Sequence, residues 1–161
     1  MLRFLALAFL FPSLGLAAPC GIWSAAMEDG EGGRLATAAV CLGTAARSSD
    51  LFLQCGGQDL LSLRVLLSED AAIDPGDGPE FTTPLRLTVD GLAFDRPSRY
   101  EAMDGAMVTE FPMEAQVVGA LRSGKAVTLA FPALAALKPM DFPLKGSRTA
   151  IDWLIAACRR Q

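Results

Sequence analysis

The sequence of 161 residues contains no histidine and no asparagine, a single tyrosine and two tryptophans. Without histidine there is no serine–histidine or cysteine–histidine catalytic arrangement, no imidazole metal ligand and no imidazole pH switch. Without asparagine there is no N-glycosylation acceptor. Basic residues are also scarce: 14 Lys and Arg stand against 18 Asp and Glu, a formal net charge of −4. A nucleic-acid binder needs a basic face, so nucleic acid is not an expected partner. The four cysteines form no Cys-x-x-Cys pair, which weakens zinc and dithiol redox readings. No cofactor and no metal is expected.

What the chain does have begins with its first segment. Residues 1–17 carry Arg3 as their one charge, then an apolar stretch from Phe4 to about Leu16 broken by Pro12, Ser13 and Gly15. Small residues at Gly15 and Ala17 complete the pattern of a secretory signal peptide cleaved after Ala17. Pro19 precedes Cys20 where a lipid-anchored form would need a small residue. No later apolar run approaches the roughly 20 residues of a spanning helix. The expectation is a periplasmic or secreted protein, with residues 18–161 forming one β-rich domain.

Punctuation points to strands up to about residue 110. Cys20–Met27 and Arg34–Leu42 flank a polar, glycine-rich loop over 28–33, and Leu51–Cys55 and Leu60–Leu67 flank Gly-Gly-Gln-Asp. Pro84–Val89 is followed by Asp90-Gly91 and Leu92-Ala93-Phe94, a strong two-residue hairpin signal. Asp104-Gly105 repeats the dipeptide before Ala106. Residues 112–161 read as two helices with one strand, Val127–Phe131, between them. Met113, Val117, Ala120 and Leu121 share one face of the first helix, and Gly124 stops it. In the last helix Ser147 is placed to cap, Asp152 sits in the early turns, and Ile151, Leu154, Ile155 and Cys158 form the buried face. Arg159 and Arg160 complement its negative end. The predicted fold is mainly β, antiparallel and sandwich-like, with two helices in the C-terminal third, the last at the C-terminus.

In an exported chain the cysteines read as disulfides. A hairpin turning over 28–33 sets Cys20 opposite Cys41, leaving Cys55 to fasten the terminal helix through Cys158. Cys41–Cys55 is the main alternative, but a turn over 43–49 puts those two out of register.

Other constellations carry less. Gly119 to Lys125 has the glycine and lysine spacing of a phosphate loop, but Ala126 stands where Ser or Thr must hold magnesium, and helix precedes strand. Glu69, Asp70, Asp74, Asp77 and Glu80 crowd one segment without the spacing of a calcium loop; a solvated acidic loop is the simpler account. Ser24, Ser68, Ser98 and Ser147 lie in no nucleophile frame. Paired carboxylates could support a secreted hydrolase, the alternative functional class, although the sequence selects no pair. Trp23 and Trp153 lie among apolar neighbours and read as core. Arg96, Arg99 and Tyr100 place two guanidiniums near an aromatic ring and form the candidate partner surface, on a loop.

Several short elements recur together: Trp23 near the start of the domain, Leu51-x-Leu53-x-Cys55, Leu87-x-Val89-Asp90-Gly91, Ala120-Leu121-x-x-Gly124, and Phe142-Pro-Leu-Lys-Gly-Ser147 leading into the cysteine-bearing helix. In these the chain resembles small exported bacterial proteins that include type VI secretion-associated VasI-like proteins and, more loosely, the invasion-associated locus B family. The resemblance covers most of residues 20–161. It implies a β-sandwich-like periplasmic fold with no catalytic residues to carry over. The functional expectation is a non-enzymatic binding module or envelope and secretion accessory, whose partner is an envelope or secretion-system protein.

Overall fold

The computed structural model describes residues 20–30, 33–44, 47–66, 81–135 and 137–160. The leader over 1–17 and the acidic segment over 69–80 lie outside these. Among the described residues the chain forms β1 (Ser24–Gly30), β2 (Gly33–Thr44), β3 (Arg47–Cys55), β4 (Leu60–Leu66), β5 (Thr82–Val89), β6 (Leu92–Glu101), β7 (Ala106–Pro112), α1 (Gln116–Ser123), β8 (Ala126–Ala130), β9 (Met140–Pro143) and α2 (Ser147–Cys158). All nine strands join one antiparallel sheet in the order β1-β2-β3-β4-β7-β6-β5-β8-β9. The expectation of a mainly β, antiparallel fold with two late helices is met.

The sheet curls until its ends approach. β2 contacts β9, and Trp23 fastens the closure: its indole N–H donates to the Pro143 carbonyl at 2.9 Å and its backbone N–H to Lys145 at 2.9 Å. Alternation fills the concave side. Leu61, Leu63 and Val65 of β4, Leu85, Leu87 and Val89 of β5, and Val127 and Leu129 of β8 are buried there, as period-two patterning dictates. α2 lies across β1, β2 and β3 and packs on α1.

Asp90 (φ 47°) and Gly91 (φ 89°) form the β5–β6 turn, with Val89 opposite Leu92, the geometry of a type I′ hairpin. The β1–β2 hairpin is tighter than the sequence reading. Its strands run to Gly30 and Gly33, so Ser24 opposes Ala39 and not Thr37. Cys20 therefore lies beyond the ladder, where Gly21 donates its N–H to the Cys41 carbonyl at 3.0 Å. The disulfide still joins Cys20 to Cys41, and the second joins Cys55 to Cys158.

Four local readings change. Gly146, left-handed at φ 84°, begins α2, while Ser147 is buried and its hydroxyl donates to the Leu121 carbonyl at 2.7 Å. Ser147 thus satisfies an orphan carbonyl in the last turn of α1 and does not cap its own helix. Its buried face is centred on Ala150, Ile151, Leu154 and Ala157, with Ile155 and Cys158 only partly covered. Gly124 does end α1, but in an extended conformation (φ −75°, ψ 175°). The reason for glycine there is space: a Cβ would come within 2.5 Å of Val89 Cγ1. Between the helices lie two strands, β8 and β9, where the sequence pattern predicts one.

Candidate partner surface on β6

β6 carries the sequence Leu92-Ala-Phe-Asp-Arg96-Pro-Ser-Arg99-Tyr100-Glu101. The Arg96–Tyr100 segment is strand, not loop, and alternation divides its three candidate residues. Arg96 opposes Leu85 and Tyr100 opposes Met107, both buried, so these two belong to the concave face. Arg99 opposes Thr82 and Val108 on the convex face.

The convex face is a network of ion pairs. Arg99 reaches Glu101 at 2.8 Å and Glu110 at 3.5 Å, and Arg64 reaches Glu101 at 2.5 Å and also meets Asp104. Further along, Arg86 grips Asp95 with two hydrogen bonds of 2.7 and 2.9 Å. That hydrogen bonding holds the Asp95 carboxyl below the usual aspartate range, against a smaller opposing effect of desolvation, with the Arg86 charge adding to the lowering. The same contact raises the Arg86 guanidinium, which stays charged. The convex arginines are therefore engaged within the fold. Tyr100 packs against the core, which gives it a structural role.

Arg96 differs. It is half-buried, its Nε is closed off from solvent without a hydrogen-bond partner, and among the described residues it has no carboxylate partner. Two nearby hydroxyls are committed: Ser98 donates to the Thr83 carbonyl at 2.7 Å and Thr109 to the Pro97 carbonyl at 2.8 Å. The Thr83 hydroxyl is buried and unpaired.

Two prolines shape this stretch. Pro84 and Pro97 face each other across β5 and β6. Neither has an N–H, so each sits where that group would point away from the partner strand. Pro84 lies two residues before Arg86, the first residue of β5 paired with β8, and Pro97 two residues before Arg99, the first of β6 paired with β7. The β6–β7 ladder ends there, and β6 from Leu92 to Ser98 pairs with β5 alone. Beside this open edge an open groove of about 550 Å³ runs between the β5–β6 turn and α1, bounded by Asp90, Leu92, Met113, Gly119 and Arg122. Leu92 is 49% exposed, and Met103 is the one other large exposed apolar side chain among the described residues.

The stretch from Gly119 to Lys125 offers no phosphate cradle. The N–H groups of Lys125 and Ala126 donate to the Asp90 carboxylate at 2.9 and 3.3 Å. The sequence marks Asp90 as a turn residue; that it also holds the start of β8 depends on a contact 35 residues away. For the hydrolase alternative, the described residues bury no carboxylate: the buried polar side chains are Thr37, Ser62, Thr83, Ser98, Thr109 and Ser147, all hydroxyls. No group of three or more Asp, Glu or Cys side chains among them is arranged to hold a metal.

A curled antiparallel sheet tied by two disulfides and closed by a terminal helix is the architecture of a small disulfide-stabilised β domain, consistent with an exported protein. No protein-family model and no curated protein matches the chain. Among solved structures it is similar to the invasion associated protein B of Bartonella henselae, with a TM-score of 0.61 and 20% sequence identity over 91% of this chain and 99% of the other. That likeness is one of fold. It falls on the invasion-associated side of the sequence resemblance; the comparisons hold no counterpart of the VasI-like side.

Proposed function

We propose that this chain is an exported, non-enzymatic accessory protein of the cell envelope that acts by binding. The observation that carries the reading is the chemistry of the interior: the buried polar groups of the described fold are hydroxyls, with no acid–base pair enclosed. Catalysis by positioned proton transfer requires a group that titrates near the reacting atoms. The carboxylates that do come together, Glu101 with Asp104 and Glu101 with Glu110, share arginines on the convex surface. The disulfides and the signal-like leader support export, and the fold likeness to an invasion associated protein supports an accessory role outside the cytoplasm. The VasI-like resemblance adds a secretion system as one setting for that role.

The test joins location to partners. Fractionation and N-terminal sequencing are expected to recover a mature chain starting at Ala18 outside the cytoplasm. Cross-linking in intact cells should give a partner set that Arg96→Ala changes. Tyr100 is left intact because it packs in the core. A chain retaining Met1 in the cytosol, or glycoside turnover by the purified oxidised protein, overturns the reading.

A further inference from the structure

The open edge of β6 has the features of a built docking strip. In the β5–β6 ladder, Ala93 and Asp95 occupy the same alternating set of positions as Pro84 and Pro97. Their backbone N–H and C=O groups therefore point away from β5, toward the side where β7 has already diverged. Both residues are exposed. Exposed strand edges of this kind are ready to take another strand.

The side chains of the strip supply a pattern. Leu92, Phe94 and Arg96 share one face of β6. Leu92 is half exposed beside the groove under α1, and Arg96 is a guanidinium with a desolvated, unpaired Nε. Arg96 is a half-buried charge with no carboxylate partner among the described residues, and a carboxylate is the acceptor whose charge and planar geometry match guanidinium. The other acids of this region are committed, Asp95 to Arg86 and Glu101 and Glu110 to Arg99.

We infer that the open edge of β6 binds an extended segment of a partner protein as an added strand, with an acidic side chain on Arg96 and an apolar one, four residues away along the segment, over Leu92. The inference rests on the binding reading above and names the chemistry of the partner. Main-chain hydrogen bonds to Ala93 and Asp95 supply affinity, and the Arg96–carboxylate pair fixes register.

The probe is the capped peptide Thr-Asp-Thr-Val-Thr-Leu-Thr, made in both chain directions and added to the oxidised 18–161 protein. One direction is expected to bind with a Kd on the order of 100 μM, with amide shifts at Ala93 and Asp95. Arg96→Gln, or Asn for Asp in the peptide, should weaken binding about tenfold. Arg148→Gln, on the exposed face of α2, should leave binding unchanged. Ala93→Pro removes only an outward N–H, as Pro84 and Pro97 already do, and should abolish binding while both disulfides form. No saturable binding of either peptide up to about 1 mM, or full binding by Arg96→Gln or Ala93→Pro, overturns the inference. The broader reading fails by different results, a cytosolic location or catalytic turnover.

Discussion

Gly119 lies inside α1 and Gly124, five positions on, caps its end, yet an added methyl group meets opposite surroundings at the two. At Gly119 nothing lies within 4 Å, whereas at Gly124 it meets Val89 Cγ1 at 2.5 Å and Leu144 Cδ1 at 3.0 Å. Gly119→Ala should stabilise by about 0.5–1 kcal/mol through helix propensity. Gly124→Ala should destabilise by about 1–3 kcal/mol through overpacking. Urea unfolding of the two variants checks both signs. Asp95 offers a titration at the same scale. Its pKa is lowered in the fold, chiefly by hydrogen bonding to Arg86, so its contribution is present above the ordinary aspartate range. That contribution fades as pH falls through the depressed folded value. NMR of the side-chain carboxyl should show a midpoint below that of a free aspartate, and Arg86→Gln should move it upward. An unmoved midpoint would place the cause elsewhere. The sequence made the glycine at 124 visible but not its reason, because the crowding comes from residues 35 positions before it and 20 after it.

The elements that sequence reading found best are those whose signals are local. Asp90-Gly91 between apolar runs fixes β5 and β6 because positive φ is cheap there, and the terminal helix announces itself by periodicity. β9 was missed because four residues ending in Pro143 have no such signal; it becomes a strand only by pairing with β8 and receiving Trp23 from the far end of the sheet. Arg, Pro and Ser in Arg96–Tyr100 read as loop punctuation, whereas proline is admissible on β6 where the next ladder has ended. α2 is the element on which mutation should weigh most. Leu154 is fully buried, so Leu154→Ala should cost about 2–5 kcal/mol through a cavity. Ser147→Ala leaves the Leu121 carbonyl without its donor and should cost about 1–3 kcal/mol. Thermal melts of the oxidised protein test both; a negligible effect of Ser147→Ala would mean that water replaces the hydroxyl.

At the scale of the whole molecule, the curled sheet needs its ends held, and the two disulfides do this over very different spans. Cys20–Cys41 bridges a sequence separation of 21 residues at the margin of one hairpin. Cys55–Cys158 bridges 103 residues and anchors α2 to the end of β3. The pairing was legible because hairpin position leaves few choices, although the register that suggested Cys20–Cys41 was shifted by two. The tightness of a turn is set by its glycines and by the sheet beyond it. In the chain-entropy picture, closing the short loop stabilises by about 3 kcal/mol and the long one by about 5 kcal/mol. Hydrogen bonds around Gly21 and Trp23 also hold the first bridge in place, so its loss leaves an end of the sheet still attached. Loss of the second frees the helix that covers β1, β2 and β3. Cys55→Ala/Cys158→Ala should therefore lower stability more than Cys20→Ala/Cys41→Ala, and should also raise hydrogen exchange throughout α2. Peptide mapping without reduction must first show the two native pairs; a Cys41–Cys55 fragment, or equal losses in the two double variants, would refute this division of labour.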